Sequence, residues 1–210
     1  MGPIELLESA VRALRKVDCR FAVAGGIAAN LFRSEPRLTQ DVDLLLLADP
    51  IEKTEEIATR FLQKLGFEVG RAKVADLVQA QMMGKKTTPV VLLVGREKGT
   101  KGEGGVDILL PKMAWVQGAI ERAQHHRVDF GFGKLPTITI EDFIVSKLFA
   151  LRDNPSRFKD LDDLQSLFGS NPSLDLVYLA GAFGRYHLTL PRELRRLAPK
   201  GIRAAARRPG

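Results

Sequence analysis

The sequence predicts an α/β (α+β) fold: a mixed sheet flanked by helices, followed by a helical C-terminal unit. Three observations lead there. Over residues 1–138, short apolar runs bounded by glycine, proline or aspartate alternate with amphipathic stretches of helical period. Two of those runs, 89–94 and 106–110, flank a basic, glycine-rich connection (95–105), the pattern of an antiparallel hairpin with a long linker. From Thr139 onward the strand-like runs stop and helical periodicity takes over. The expected division is an α/β core over 1–138, a helical unit over 139–197 and a basic tail over 198–210.

In chain order, Ile4, Leu7, Val11, Leu14 and Val17 recur every three to four residues and predict an amphipathic first helix. Residues 20–24 form a strand, 26–33 a short helix and 41–47 a strand with an unbroken apolar run. Asp49 as N-cap with Pro50 in the first turn predicts a helix to about Leu65, closed by Gly66. A strand follows over 67–72, and 74–83 is ambiguous between strand and short helix. Residues 112–124 read as helix, and 127–130 and 135–138 as short extended pieces. Thr139, three residues before Asp142, caps a helix carrying Ile144, Leu148 and Leu151, which Pro155 breaks. Helices over 156–169, 174–183 and 191–197 complete the plan.

At 210 residues the chain is one large domain or a compact core plus a small second unit. Its 45% hydrophobic and 27% charged content is that of a soluble globular protein. The single cysteine, Cys19, excludes an intrachain disulfide and fits a reducing cytoplasm. The amphipathic, Glu-containing N-terminus is unlike a signal peptide. No apolar run nears the roughly 20 residues that span a bilayer, so no membrane partner is expected. The net charge of +7 is unevenly placed: from Arg185 onward there are eight basic residues against Glu193 alone, leaving 1–184 formally neutral. Such a tail either attracts nucleic acid or serves solubility.

Chemistry concentrates between Ala22 and Leu47. A strand runs into Gly25-Gly26, a junction where backbone N–H groups at a helix start can approach an anion. After a connection through Pro36, Asp41 and Asp43 stand two apart on a strand, on one face. Two carboxylates so close repel each other unless a cation neutralises them. A divalent ion that also holds phosphate oxygens is the usual solution. Asp107 opens the otherwise apolar strand Val106-Asp107-Ile108-Leu109-Leu110, where a carboxylate has no structural reason to be. A phosphate cradle beside metal-binding acids reads as chemistry on a nucleoside triphosphate.

The series Gly25-Gly26, Arg37-x-Thr39-x-Asp41-x-Asp43 resembles the nucleotidyltransferase superfamily of the DNA polymerase beta type, and most closely the minimal AbiEii-like toxin branch. The resemblance implies a nucleotidyltransferase-type sheet and an enzyme that moves a nucleoside monophosphate from an NTP to an acceptor hydroxyl. It implies two Mg2+ ions held by Asp41, Asp43 and Asp107, with Asp107 taking the hydroxyl proton. Gly25 and Gly26 would hold the triphosphate, and Thr39 would orient Asp41 or touch phosphate. The segment 141–152 with 159–164 resembles the Lys-Leu-x-Ala-Leu and Lys/Arg-Asp-x-x-Asp-Leu block of the same branch. By that resemblance Lys147 reaches the triphosphate and Asp160 supports the site, with Asp163 one turn on. The competing reading from spacing is a solvated helix residue for Lys147 and helix-surface acids three apart for Asp160 and Asp163.

The tail and the AbiEii-like signature favour RNA, particularly tRNA ends, as acceptor, with a cognate antitoxin protein as a further partner. A small molecule such as an aminoglycoside is the competing acceptor. A non-catalytic nucleotide-binding or antitoxin-like relative is the reading from another class. His125, His126 and His187 lack metal-ligand spacing. Cys19, Trp115, Met82 and Met83 read as packing residues.

Overall fold

The computed structural model describes residues 2–73, 90–99, 104–170 and 173–206; the ambiguous 74–83 stretch, with Met82 and Met83, lies outside them. The chain folds as two units, residues 1–28 with 37–138 and residues 29–36 with 139–210.

In the first unit, α1 (Pro3–Leu14) starts where Pro3 needs no hydrogen-bond partner and Glu5 accepts from the Gly2 N–H at 3.0 Å. It buries Leu6, Leu7, Ala10, Val11 and Leu14. Ile4 stays exposed and Val17 falls beyond the helix, so the apolar stripe is rotated and shorter than its period predicts. β1 (Cys19–Ala24) leads directly into α2 (Gly25–Phe32), whose first half belongs to this unit. β2 (Asp41–Ala48) is buried from Leu44 to its end, as a central strand covered on both faces must be. The helix expected from an Asp49 cap begins instead as a 3-10 turn (Ile51–Lys53) followed by α3 (Thr54–Lys64). The decisive polar contact is the buried Thr54 hydroxyl, which accepts from the Ala48 N–H at 3.0 Å.

Then come β3 (Phe67–Lys73), β4 (Val90–Glu97), β5 (Gly105–Leu109), α4 (Val116–Ala123), β6 (Arg127–Asp129) and β7 (Lys134–Pro136). Among the described residues the main sheet has the order β1-β2-β5-β4-β3, with β2 and β5 parallel and the other neighbours antiparallel. β4 and β5 pair as predicted, but β4 extends through Gly95, Arg96 and Glu97, residues assigned to the linker from sequence. The helix expected over 112–124 is confined to α4. α1, α3 and the sheet share one core, centred on Leu7, Leu44, Leu46, Phe61, Leu93 and Ile108.

In the second unit, α5 (Ile140–Asp153) is capped by Thr139, whose hydroxyl accepts from the Asp142 N–H at 3.2 Å. α6 (Phe158–Gly169) follows, then α7 (Leu176–Tyr186), capped by Asp175 through the Tyr178 N–H at 2.8 Å. The 191–197 helix reduces to a 3-10 turn, Arg192–Leu194, and Lys200–Ala205 form α8 within the tail. Leu188, Leu190, Leu194, Ala198 and Ile202 are buried, so the basic segment is anchored by its apolar residues. Phe32, at the end of α2, packs its ring 5.7 Å from that of Phe143.

Candidate active site

Sheet register builds the site. Paired residues on neighbouring strands project to the same face. One row runs Ala24, Asp43, Asp107, Val94 across β1, β2, β5 and β4, and the next runs Asp41, Gly105, Arg96. Asp43 and Asp107 are therefore direct cross-strand neighbours, and Asp41 stands two residues along the same face.

The glycine turn closes on this row from β1. Gly25 has φ +59°, in the left-handed region, and a Cβ there would overlap the Asp43 carboxylate. A Cβ on Gly26 would overlap the Thr39 side chain. The Gly26 N–H donates to Asp43 Oδ2 at 3.2 Å, directing the positive end of α2 onto that carboxylate. Thr39 donates its hydroxyl to the Asp41 main-chain carbonyl at 3.3 Å, so it holds the backbone of the aspartate and not its carboxylate.

The cation that relieves the crowding of these acids is a side chain the sequence reading passed over. Arg96 Nη1 donates to Asp107 Oδ1 at 2.5 Å, and Nη2 reaches Asp107 Oδ2 at 3.3 Å and lies 3.4 Å from Asp41 Oδ1. Placed in a linker, Arg96 had no assignable face. The one usable signal is the alternation Leu92, Val94, Arg96, which continues the strand. Burial pushes the Asp107 carboxyl above the ordinary carboxylate range, Arg96 opposes that shift, and the charge of Asp41 adds to it. The bond to Asp107 pushes the Arg96 guanidinium up in turn. Among the described residues, no group of three or more His, Cys, Asp or Glu side chains is gathered as a metal-ligand shell. Arg96 therefore stands among the three acids that the resemblance assigns to metal.

The donor set still suits a divalent ion. All three side chains offer hard carboxylate oxygens, and Asp41 Oδ1 is buried without a hydrogen bond.

Lys147 and Asp160 belong to the second unit. Lys147 is buried there; its Nζ donates to Asp160 Oδ1 at 2.5 Å and lies 2.9 Å from Asp163 Oδ2. Asp163 also accepts from Arg33 Nη1 at 2.8 Å, and Asp160 is paired with Arg157. The solvated-helix alternative for Lys147 and the surface-acid alternative for Asp160 and Asp163 are overturned, since Asp160 is 2% and Asp163 0% exposed. His126 Nδ1 lies 2.8 Å from the Thr137 carbonyl, a structural contact. Trp115 is buried, and Cys19 is partly so.

A family model described as nucleotidyl transferase AbiEii toxin, type IV toxin–antitoxin system, matches residues 6–208. The chain belongs to this family. It is a nucleotidyltransferase, and its family is one of toxin–antitoxin systems. No protein of curated function matches it by sequence. Among solved structures, the AbiEii-family chain is similar to the antibiotic-resistance factor ANT(2'')-Ia in solution, at 15% identity and TM-score 0.53, over 88% of this chain and 91% of that one. It is likewise similar to crystalline ANT(2'')-Ia in complex with adenylyl-2''-tobramycin, at 14% identity and TM-score 0.54, over 87% and 98% of the two chains. These likenesses establish a shared nucleotidyltransferase fold.

Proposed function

We propose that this AbiEii-family nucleotidyltransferase moves a nucleoside monophosphate from a nucleoside triphosphate to a hydroxyl on RNA, particularly at tRNA ends, in the cytoplasm and under control of a cognate antitoxin protein. The observation that carries the reading is the register: Asp43 beside Asp107, Asp41 on the same face, and a glycine turn pressed onto Asp43. Asp41, Asp43 and Asp107 would hold two Mg2+ ions. When bound, such ions neutralise triphosphate charge and stabilise the departing pyrophosphate.

The chain's own residues do the rest. Gly25 and Gly26 let backbone approach the triphosphate without a side chain between. By family resemblance Asp107 accepts the proton of the acceptor hydroxyl. Thr39 fixes the main chain from which Asp41 projects. By family resemblance Lys147 serves the triphosphate and Asp160 supports it. The exposed Arg185, Arg192, Arg195, Arg196 and Lys200 favour a polyanionic acceptor.

The test is transfer of label from each NTP, with Mg2+ and total RNA, alongside Asp43→Ala. Label entering RNA and falling at least about a hundredfold in the variant supports the reading. Label that enters an aminoglycoside and not RNA reassigns the acceptor. Tight NTP binding without transfer to any acceptor overturns the reading in favour of a binding module.

A further inference from the structure

We infer that Arg96 is a built-in countercation of the acidic cluster, which competes with the divalent ion for Asp107 and Asp41 and must leave them for metal to load. The inference rests on the proposed reading of those aspartates as metal ligands.

Three features of the sheet support it. First, Arg96, Gly105 and Asp41 form one cross-strand row, with the glycine in the middle. A side chain at 105 would stand in the path of the arginine: a Cβ there would overlap Arg96 Cδ and Nη1 as well as the Gly95 carbonyl. The gap lets one guanidinium pass over β5, from β4 to an acid on β2. Second, the guanidinium engages the same carboxylates that a metal would use. Its two nitrogens fork onto both oxygens of Asp107, and Nη2 faces Asp41 Oδ1 at 3.4 Å. Third, that Asp41 oxygen is buried and accepts no hydrogen bond. A purely structural ion pair would satisfy the acceptors it encloses. Arg96 thus engages both oxygens of Asp107 and reaches Asp41 without hydrogen-bonding it, leaving the second acid poised for a stronger cation.

A guanidinium and a divalent ion cannot share these oxygens at contact distance, because their like charges repel strongly where solvent is partly excluded. Metal entry therefore displaces Arg96, and Arg96 lowers metal affinity while no nucleotide is present. Once displaced, it is a cation freed beside the aspartates that await a triphosphate.

The test is direct Mn2+ binding to the full chain without nucleotide, by titration calorimetry and by electron paramagnetic resonance of the free ion, in wild type, Arg96→Gln and Arg96→Lys. Arg96→Gln is expected to bind Mn2+ on the order of tenfold tighter or more. Arg96→Lys, which keeps charge but loses the fork, should fall between it and wild type. In the presence of chelator, Arg96→Gln should melt below wild type, and Mn2+ should raise its Tm by more than it raises that of wild type. Affinity equal to or weaker than wild type in the variants overturns the inference and leaves the metal-site reading intact. Absence of Mn2+ binding in every form, with and without NTP, overturns the metal-site reading and the inference with it. Should Arg96→Gln fail to fold, the comparison of Arg96→Lys with wild type decides alone.

Discussion

Asp43 is where single-residue constraints accumulate. It lies beside Ala24 on one strand and Asp107 on another, and Gly25 leaves no room for a methyl group against it. Gly25→Ala is therefore expected to cost about 1–3 kcal/mol, from positive φ alone, and to displace the carboxylate. Urea unfolding should record the first effect and label transfer a loss of activity beyond it. The glycine pair was legible in the sequence as a turn beside an acidic strand. That its side-chain-free atoms make room for Asp43 and Thr39 was not, because it depends on which residues β1 and β2 bring opposite each other. Cys19 illustrates a different residue-scale effect. Burial, with Asp18 adding, pushes its thiol from 9.0 up to about 11. Its thiolate fraction at pH 8 is then roughly a hundredfold below that of a free cysteine, so disulfide-exchange labelling should be slow and accelerate as pH rises toward that value. Labelling at the free-cysteine rate would contradict the burial.

At the scale of elements, the informative departures are β4 and the α5–α6 pair. Sequence periodicity placed an apolar strand before Gly95 and stopped there, since Gly95 and the charges after it read as linker. The sheet continues because β5 offers backbone partners as far as Gly105 opposite Arg96. Pairing with a neighbour, not local propensity, set the end of the strand. In the second unit, spacing left Asp160 and Asp163 open between surface and site. Packing decided: both are buried among Lys147, Arg33 and Arg157, with Arg33 reaching Asp162 as well at 2.9 Å. Removing one partner of such a network leaves an uncompensated buried charge. Asp163→Asn is thus expected to destabilise by about 3–5 kcal/mol, read from the urea midpoint. A change under about 1 kcal/mol would place these residues in the class of exposed pairs.

At the scale of the whole molecule, charge is partitioned along the chain: residues 1–184 are formally neutral and the last 26 carry the net +7. The structure folds much of that segment around Leu188, Leu190, Leu194 and Ile202 and leaves Arg192, Arg195 and Arg196 exposed. Replacing these three arginines with glutamine should weaken RNA binding and flatten its salt dependence by about 0.7 in log–log slope for each lost contact to a single strand. An unchanged slope would assign the segment to solubility. The sequence by itself determined the succession of strands and helices, the glycine turn and the acid-bearing strands, because period and turn chemistry are local properties of the chain. Only the tertiary structure decided which acids are neighbours, that Arg96 stands among them across Gly105, and that the Lys147 network is buried. Strand register and helix packing join residues far apart in sequence, and no local pattern encodes which partner a charge will meet.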